Sequence, residues 1–414
     1  MNPYAALVPV FVVALVAPLL ARLMPVNARV PQVVLLLLGG VLIGPQLMEL
    51  SDPASVTLLS DLGMGFLFLL AGYELEPNLL RQKVGRRAGG AWVTSFALAG
   101  AALLLLPGHQ PSELLAAGAI ALTTTALGVV LPILKDDGVL DSRLGRSVLV
   151  LGAIGELGPI VAMAVLLGTR NSGTATVLLG VFAVLTLAIA AIPERFTSLR
   201  GRFLMSLSEH GTGQSTLRLT VLLLVGLLAL AQSLGFDAVL GAFVGGMVLR
   251  RWAPGDVVAL EKKLDAVAWG VFIPVFFVSS GMGLDVDSIV SNPVLPLAFL
   301  VAMLVVRGGP VLLWFRRELP GGERVQAALY STTTLPLLVA LTEIAVDDGS
   351  MPTDIGAALV GAGVLSVIVL PMIASRLRRR GDDGAAGRDG RGGESRRPDD
   401  ERRDLPNDGI VDTV

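Results

Sequence analysis

The sequence predicts an all-α polytopic membrane protein with about thirteen transmembrane helices, arranged as two inverted repeats whose crossed, broken helices form a core domain. Hydrophobic residues make up 53% of the 414 residues and charged residues 16%, so apolar stretches long enough to cross ~30 Å of hydrocarbon recur throughout. Two separate pairs of matching segments lie at one constant offset, and each half has a threonine run inside an apolar stretch. The apolar stretches predict a membrane protein, the matched segments predict an internal repeat, and the threonine runs predict interrupted helices.

Apolar windows of about 20 residues between polar breaks define the individual helices. The first window lacks the basic region of a cleavable signal peptide, so we expect it to remain as a span. The ninth window is short and glycine-rich, and we expect it to be bent or partly buried. The predicted helices lie near 3–23, 28–48, 55–75, 88–106, 113–134, 146–168, 174–192, 216–235, 238–250, 264–284, 293–315, 325–346 and 353–375.

Lysine and arginine residues test these spans independently, because cytoplasmic loops are enriched in them. With the N-terminus outside, the inward loops before the C-terminal tail contain twenty basic residues, and the outward loops contain one, Arg170. A missed or invented helix in the middle of the chain would destroy this alternation. The sequence therefore predicts a multi-pass protein of the cell membrane, with its N-terminus outside and its C-terminus in the cytoplasm.

The chain divides into a transmembrane domain at 1–375 and a charged cytoplasmic tail at 376–414. The tail contains ten arginine and ten acidic residues among Gly, Ser and Pro, so we expect it to be disordered. Its arginines could contact membrane lipid or serve as a topology anchor. Cysteine is absent, which excludes thiolate metal sites, and the two histidines fall in loops on opposite sides of the membrane. We expect no cofactor and no nucleic-acid partner.

An internal duplication is indicated by residues that match at an offset of 209. "FLLAGYELE" matches "FVSSGMGLD" in this register, and the first threonine run matches the second. Seven helices separate each member from its counterpart, and because seven is odd the copies must face opposite ways in the membrane. The pattern is typical of inverted-repeat transporters, with repeats at about 3–168 and 216–375 and a connector helix at about 174–192.

Two threonine runs interrupt the fifth and twelfth predicted helices about halfway along their lengths. Threonine hydroxyls compete for backbone carbonyls, and a nearby proline removes an amide donor, so we expect two broken helices that cross at mid-depth. In such folds broken helices expose backbone groups to the substrate site. The alternative is that each hydroxyl merely bonds a carbonyl of its own helix. The candidate residues are Thr123, Thr124, Thr125, Thr332, Thr333 and Thr334.

Two ionisable residues lie deep within predicted spans, namely Glu156 in the sixth and Arg307 in the eleventh. Charged groups inside a membrane are costly unless they are paired or hydrated, so each is a functional-site hypothesis. The two groups could pair with each other, or each could offset the dipole at the end of a broken helix. A purely structural ion pair is the competing interpretation.

A single buried carboxylate can hold either a proton or a monovalent metal cation such as Na⁺ or K⁺. The remaining cation ligands could be hydroxyl and carbonyl oxygens of the threonine runs. Competition of two ions for the Glu156 carboxylate, with access from alternate sides, is antiport. The transported ions are then Na⁺ or K⁺ and H⁺.

Six segments occur in an order that matches a known family: "PQVVLLLLGGVLIGP" (31–45), "LGMGFLFLLAGYELEP" (62–77), "ALTTTALGVVLPILKDDG" (121–138), "LGAFVGGMVLRR" (240–251), "FIPVFFVSSGMGLDV" (272–286) and "GERVQAALYSTTTLPLLVALTEI" (322–344). Together they resemble the monovalent cation:proton antiporter superfamily. The resemblance is to its second family in particular, which includes sodium/proton exchangers and glutathione-regulated potassium efflux systems.

The resemblance implies a homodimer, with predicted spans 1–3 and 8–10 as a static interface domain and spans 4–6 and 11–13 as a mobile core. It assigns the crossing helices to the threonine runs, the ion carboxylate to Glu156 and the basic residue to Arg307. The chain differs from the family pattern at Gly155, where a polar or acidic residue usually precedes the carboxylate. A single acid is easier to reconcile with one-for-one, electroneutral exchange.

Other functions remain as alternatives at this point. A sodium-coupled solute symporter could use a similar repeat, but it would be expected to have more aromatic groups in its core than a chain with 5% aromatic residues offers. A non-transporting membrane sensor would normally have a folded cytosolic domain. An intramembrane enzyme is not expected, because the spans contain no paired Asp, no HExxH motif and no serine with a histidine at membrane depth.

Overall fold

A computed structural model describes most of the chain. The described residues form helices joined by turns and include no strand. They are residues 3–24, 31–74, 82–105, 112–136, 138–140, 142–166, 172–190, 215–236, 238–252 and 257–389.

The helices are numbered here in chain order. Their bounds are α1 Pro3–Leu23, α2 Gln32–Ile43, α3 Thr57–Glu74, α4 Lys83–Leu104, α5 Ser112–Ala121, α6 Leu127–Asp136, α7 Arg143–Leu166, α8 Ser172–Ala190, α9 Ser215–Ser233, α10 Ala238–Trp252, α11 Val257–Val267, α12 Ile273–Met282, α13 Val286–Ser291, α14 Val294–Met303, α15 Gly309–Trp314, α16 Gly321–Thr332, α17 Pro336–Asp347 and α18 Thr353–Asp389. Turns of π-helix join α11 to α12 (Ala268–Phe272) and α14 to α15 (Leu304–Gly308).

Each predicted span coincides with one helix, or with two helical segments in sequence. By length and apolar composition, six described helices could cross a membrane, and four more are apolar but shorter. The all-helical fold is therefore confirmed, whereas the count of thirteen crossings stays a prediction. The six long helices are Tyr4–Leu23, Arg143–Leu166, Lys262–Met282, Val294–Trp314, Gly321–Asp347 and Thr353–Arg378.

The last helix differs from the sequence-based boundary. The sequence predicts a membrane domain that ends at 375 and a disordered tail from 376, whereas α18 continues to Asp389. A helix already formed gains one hydrogen bond for each residue added, so it can continue into a polar segment without new nucleation. Residues 390–414 lie outside the described residues, as does the whole loop 191–214 that follows the predicted connector helix α8.

Helices α3 and α10 approach each other through glycines, which explains the glycine-rich composition of the ninth predicted span. A Cβ on Gly72 would overlap the carbonyl of Phe243, and one on Gly246 would overlap the carbonyl of Leu69. Both are backbone groups and cannot rotate away. Small residues allow such close approach of helix backbones in membranes, where packing rather than water release drives association.

Helices α2 and α12 make the same kind of contact. A Cβ on Gly40 would overlap the carbonyl of Val278, and one on Gly281 would overlap the carbonyl of Leu37. Gly281 is the residue that the offset of 209 relates to Gly72. The two matched segments of the sequence therefore pack in the same manner, each against a different helix.

The two interrupted helices lie beside α7 and α18. Helix α16 packs against both of them, α17 packs against α18 and α5, and α5 and α6 pack against α7. This arrangement brings both threonine runs into the interior, and all six predicted threonines are at most 1% exposed.

We expect Gly246→Ala to lower the thermal unfolding midpoint of the purified protein by several degrees, because the added methyl group must push α10 away from α3. Overpacking of this kind typically costs about 1–3 kcal/mol. Gly226→Ala in α9 is the matched control, since a Cβ there would meet nothing within 4 Å. Equal midpoints for the two variants would contradict the close backbone contact.

Candidate ion-binding site

The first threonine run separates α5 from α6 by a short extended segment. The amides of Thr123 and Thr124 still bond to carbonyls of α5, but the next two amides bond to other segments. The Thr125 amide donates to the Gly155 carbonyl at 3.0 Å, and the Ala126 amide donates to the Thr333 carbonyl at 2.8 Å. Because a buried amide must find an acceptor, the break is stable only with α7 and the second run in place.

The second run separates α16 from α17. Helix α16 ends at Thr332, and Thr333 has an extended conformation with φ −68° and ψ 117°. The Thr334 amide donates to the Ser366 hydroxyl of α18 at 3.0 Å, and that hydroxyl can donate in turn to the Thr334 carbonyl at 2.8 Å. Pro336 then begins α17, at a position where its missing N–H costs no helical hydrogen bond.

The two breaks contact each other directly, which confirms that the broken helices cross. The hydroxyls of Thr124 and Thr334 are hydrogen-bonded at 2.7 Å, and the Thr124 hydroxyl can also donate to the Ala121 carbonyl at 2.9 Å. The Thr125 hydroxyl donates to the Ser331 carbonyl near the end of α16 at 2.6 Å. Three hydroxyls of the two runs therefore lie at the crossing point.

The hydroxyls of Thr123, Thr332 and Thr333 bond differently. Each lies within donating distance of a carbonyl one turn earlier in its own helix, at 2.9, 2.8 and 3.1 Å respectively. This is the local bonding that we gave as the alternative interpretation of the runs. The protons of these three hydroxyls are directed within their own helices, and the hydroxyls take no part in the contact between the two breaks.

Glu156 lies on α7 with its side chain directed at the start of α6. It is 8% exposed, and its Oε1 atom accepts a hydrogen bond of 2.8 Å from the amide of Leu127, the first residue of α6. The N-terminus of a helix has unpaired amides and a partial positive charge, so it favours a negative group. The sequence expectation that Glu156 offsets the dipole of a broken helix matches this contact.

Ser366 occupies the corresponding place in the other half of the chain, and sequence reasoning missed it. The offset of 209 relates Glu156 to Leu365, and the next residue, Ser366, bonds the second break. A lone hydroxyl within the apolar segment 357–374 was the feature that could have identified it. The two breaks are thus supported by different chemistry, a carboxylate at one and a hydroxyl at the other.

Arg307 does not bond to Glu156. Its guanidinium donates to the Thr125 hydroxyl from Nε at 3.3 Å and from Nη2 at 3.2 Å, and Nη2 also donates to the Leu151 carbonyl at 3.0 Å. Among the residues that the structure describes, no carboxylate lies within 4 Å of this group. The side chain is fully buried within a π-helical turn, an irregularity that is frequent at functional sites.

Gly155 provides the space for this arrangement. A Cβ at this position would lie 2.6 Å from the Cβ of Thr125 and 2.7 Å from Nη2 of Arg307, too close for either atom. Leu151 and Gly155 are four residues apart and face Arg307 from the same side of α7, whereas Glu156 points to α6. The space that a side chain at position 155 would occupy is filled here by Thr125 and Arg307.

A cavity of about 410 Å³ lies between α3, α12, α17 and α18, on the side predicted to face outward. Four acidic residues line it, namely Asp61, Asp285, Glu343 and Asp347. Hydrogen bonds from the Ser288 hydroxyl and amide lower the pKa of the Asp285 carboxyl, so it stays ionised at neutral pH. Clustered negative charge in a cleft raises the local concentration of cations.

The fold is shared with a solved transporter structure. The sodium proton antiporter MjNhaP1 from Methanocaldococcus jannaschii, solved at pH 8, superposes with a TM-score of 0.62 at 17% sequence identity. The match covers 93% of this chain and 99% of that chain. At this level of identity the likeness establishes the architecture.

Several curated relatives match the sequence. YjbQ of Bacillus subtilis (strain 168), provisionally named a Na(+)/H(+) antiporter, is 28% identical over 91% of this chain and 63% of its own length. The glutathione-regulated potassium-efflux system protein KefC of Shigella sonnei is 26% identical over 73% of this chain and 48% of its own. Cation/H(+) antiporter 18 of Arabidopsis thaliana is 28% identical over 69% of this chain and 38% of its own. The chain thus spans between about two fifths and two thirds of the length of these relatives.

The model of a protein family, described as the transmembrane sodium/hydrogen exchanger, matches residues 11–379. This range includes both threonine runs, Glu156 and Arg307, so the geometry described above lies wholly within the matched region. The chain belongs to the sodium/hydrogen exchanger family.

Proposed function

We propose that this protein is a secondary active antiporter that exchanges a monovalent cation, Na⁺ or K⁺, for H⁺ by alternating access. The observation that supports this best is the Glu156 carboxylate, held at the first amide of α6 beside the crossing of two broken helices. The relatives named as sodium, potassium and cation antiporters favour the same class of activity.

Competition for one carboxylate explains the coupling. A proton on Glu156 removes the negative charge that a metal cation requires, and a bound cation disfavours protonation. Glu156 is the one acid that bonds a backbone amide at the breaks among the described residues. With this one carboxylate as the ion ligand, one cation replaces one proton and the exchange is electroneutral. The Arg307 guanidinium bonds to Thr125 and to the Leu151 carbonyl, and it acts on the site by holding the first break against α7.

The cation also needs neutral oxygen ligands, which a proton does not. Thr124 and Thr334 are the best placed of the six threonines, since their hydroxyls meet each other at the crossing. If Thr124 donates to the Ala121 carbonyl, Thr334 donates to Thr124 and retains lone pairs that can bind a cation. Backbone carbonyls at the breaks complete the coordination.

Alternating access requires one group of helices to move against another. We assign α4–α7 and α14–α18 to a mobile core and α1–α3 and α9–α12 to a static domain that forms a homodimer, with the two halves related as inverted repeats. The acidic cavity lies between helices of both groups and provides the outward approach for cations. In this assignment the N-terminus is outside and the C-terminus is cytoplasmic.

Glu156→Gln should abolish cation-dependent dissipation of an imposed pH gradient in vesicles, because the amide keeps the shape but cannot exchange a proton. Transport is measured with Na⁺, K⁺ and Li⁺ on the full chain, and Glu113→Gln, an exposed residue on α5, is the matched control with unchanged activity. Full transport activity in Glu156→Gln would contradict the proposed exchange mechanism. A solute symporter or a sensor predicts no cation-dependent dissipation even in the wild type.

Thr124→Val should weaken the apparent affinity for the cation several-fold, because valine keeps the branched shape and removes the hydroxyl at the crossing. The matched control is Thr123→Val in the same threonine run, because the Thr123 hydroxyl bonds only to carbonyls of its own helix among the described contacts. The half-saturating cation concentration and the thermal unfolding midpoint are measured on the same preparations. Equal affinity losses for both variants, in proportion to lost thermal stability, would assign Thr124 to packing instead.

A further inference from the structure

A second cavity, of about 440 Å³, lies at the C-terminal end of α15 beside the start of α4. It is lined by Arg87, Leu313, Trp314, Arg316 and Arg317. Three arginines and two apolar side chains therefore surround one space. The predicted topology places this end of the helix on the cytoplasmic side of the membrane.

The turn after α15 holds the basic side chains in place. Phe315 and Leu319 are 0% and 3% exposed, and the Leu319 amide bonds to the Phe315 carbonyl at 3.0 Å. These anchors leave Arg316 and Arg317 exposed toward the cavity. A turn fixed at both ends by buried residues presents its charges without a large entropic cost.

The charge of the cavity is positive overall. Within the described part of the chain, Arg87 is paired with Glu318, whereas no carboxylate lies within 4 Å of Arg316 or Arg317. Two uncompensated guanidinium groups beside a neutralised pair favour an anionic ligand. Arginine in particular suits phosphate, because its planar donors bind two oxygens at once.

The tryptophan at this cavity is held rigidly at the edge of the apolar surface. The Trp314 indole N–H donates to the Thr94 hydroxyl of α4 at 3.1 Å, and its ring lies against Gly90 with no room there for a Cβ. Trp314 is nevertheless 42% exposed, and the adjacent Leu313 is 66% exposed. Tryptophan is enriched where hydrocarbon meets the lipid headgroups.

We propose that this cavity binds an anionic phospholipid, with the phosphate at Arg316 and Arg317 and an acyl chain along Leu313 and Trp314. A soluble anion would contact the arginines alone. Here the guanidinium groups lie next to exposed apolar side chains, which matches the anionic headgroup and the acyl chain of a phospholipid. The inference does not depend on the exchange reaction. The lipid site lies at the end of α15, and the π-helical turn that contains Arg307 leads directly into this helix.

The test is lipid binding to the purified full chain in detergent, followed by native mass spectrometry and by thermal unfolding. The probes are phosphatidylglycerol, phosphatidylcholine with the same acyl chains, and inorganic phosphate. We expect tighter binding of phosphatidylglycerol than of phosphatidylcholine, and a roughly thirtyfold loss of that affinity in R316Q/R317Q. The control is Arg86→Gln, an exposed arginine on α4 that does not line the cavity, and it should bind phosphatidylglycerol normally.

Leu313→Gln provides a second test that leaves the charges intact. It should lower the affinity for phosphatidylglycerol without changing any response to inorganic phosphate. Equal affinity for the two lipids, or equal losses in R316Q/R317Q and Arg86→Gln, would overturn the proposal. Protection by inorganic phosphate equal to that by phosphatidylglycerol would show a soluble-anion site and would also overturn it.

Discussion

The amide of Leu127 begins α6 inside the molecule and donates its hydrogen bond to the carboxylate of Glu156. A buried amide left without an acceptor would cost several kcal/mol. The break before α6 therefore requires an acceptor from α7, and the acceptor provided is an ionisable one. A group needed to support the backbone is thereby also placed where a proton or a cation can bind it. The proposed ion site and the broken helix therefore depend on one contact.

The remaining features of the core support this contact. Thr125 bonds to α7 through its amide and to α16 through its hydroxyl, so the first break is tied to both neighbours. Arg307 adds two hydrogen bonds to that hydroxyl and one to α7, in space that exists because residue 155 is glycine. The second break is tied to α18 by Ser366. Each break can remain irregular because every one of these bonds is made within the protein.

Much of the architecture could be predicted because it depends on local chemistry. The length of the apolar stretches predicted the helices. The threonine runs predicted where two of them end, because a threonine hydroxyl competes for backbone carbonyls within one turn of its own helix. The roles of individual threonines could not be predicted, because they depend on which hydroxyls meet across the crossing of Thr124 and Thr334. The same holds for Ser366 and for the separation of Arg307 from Glu156, which follow from the rotation of α7 and α18 about their axes. The extension of α18 to Asp389 shows that composition alone places a helix end poorly.

In the proposed mechanism one carboxylate, Glu156, exchanges a proton for a cation. This exchange is tested most directly by counting the protons released when Na⁺ or K⁺ binds to the purified full chain, using calorimetry in buffers of different ionisation enthalpy. At pH values where the cation-free site is protonated, we expect the release of about one proton per bound cation. At higher pH, where the cation-free site has lost its proton, the release should fall toward zero. Cation binding with no linked proton at any pH would contradict it.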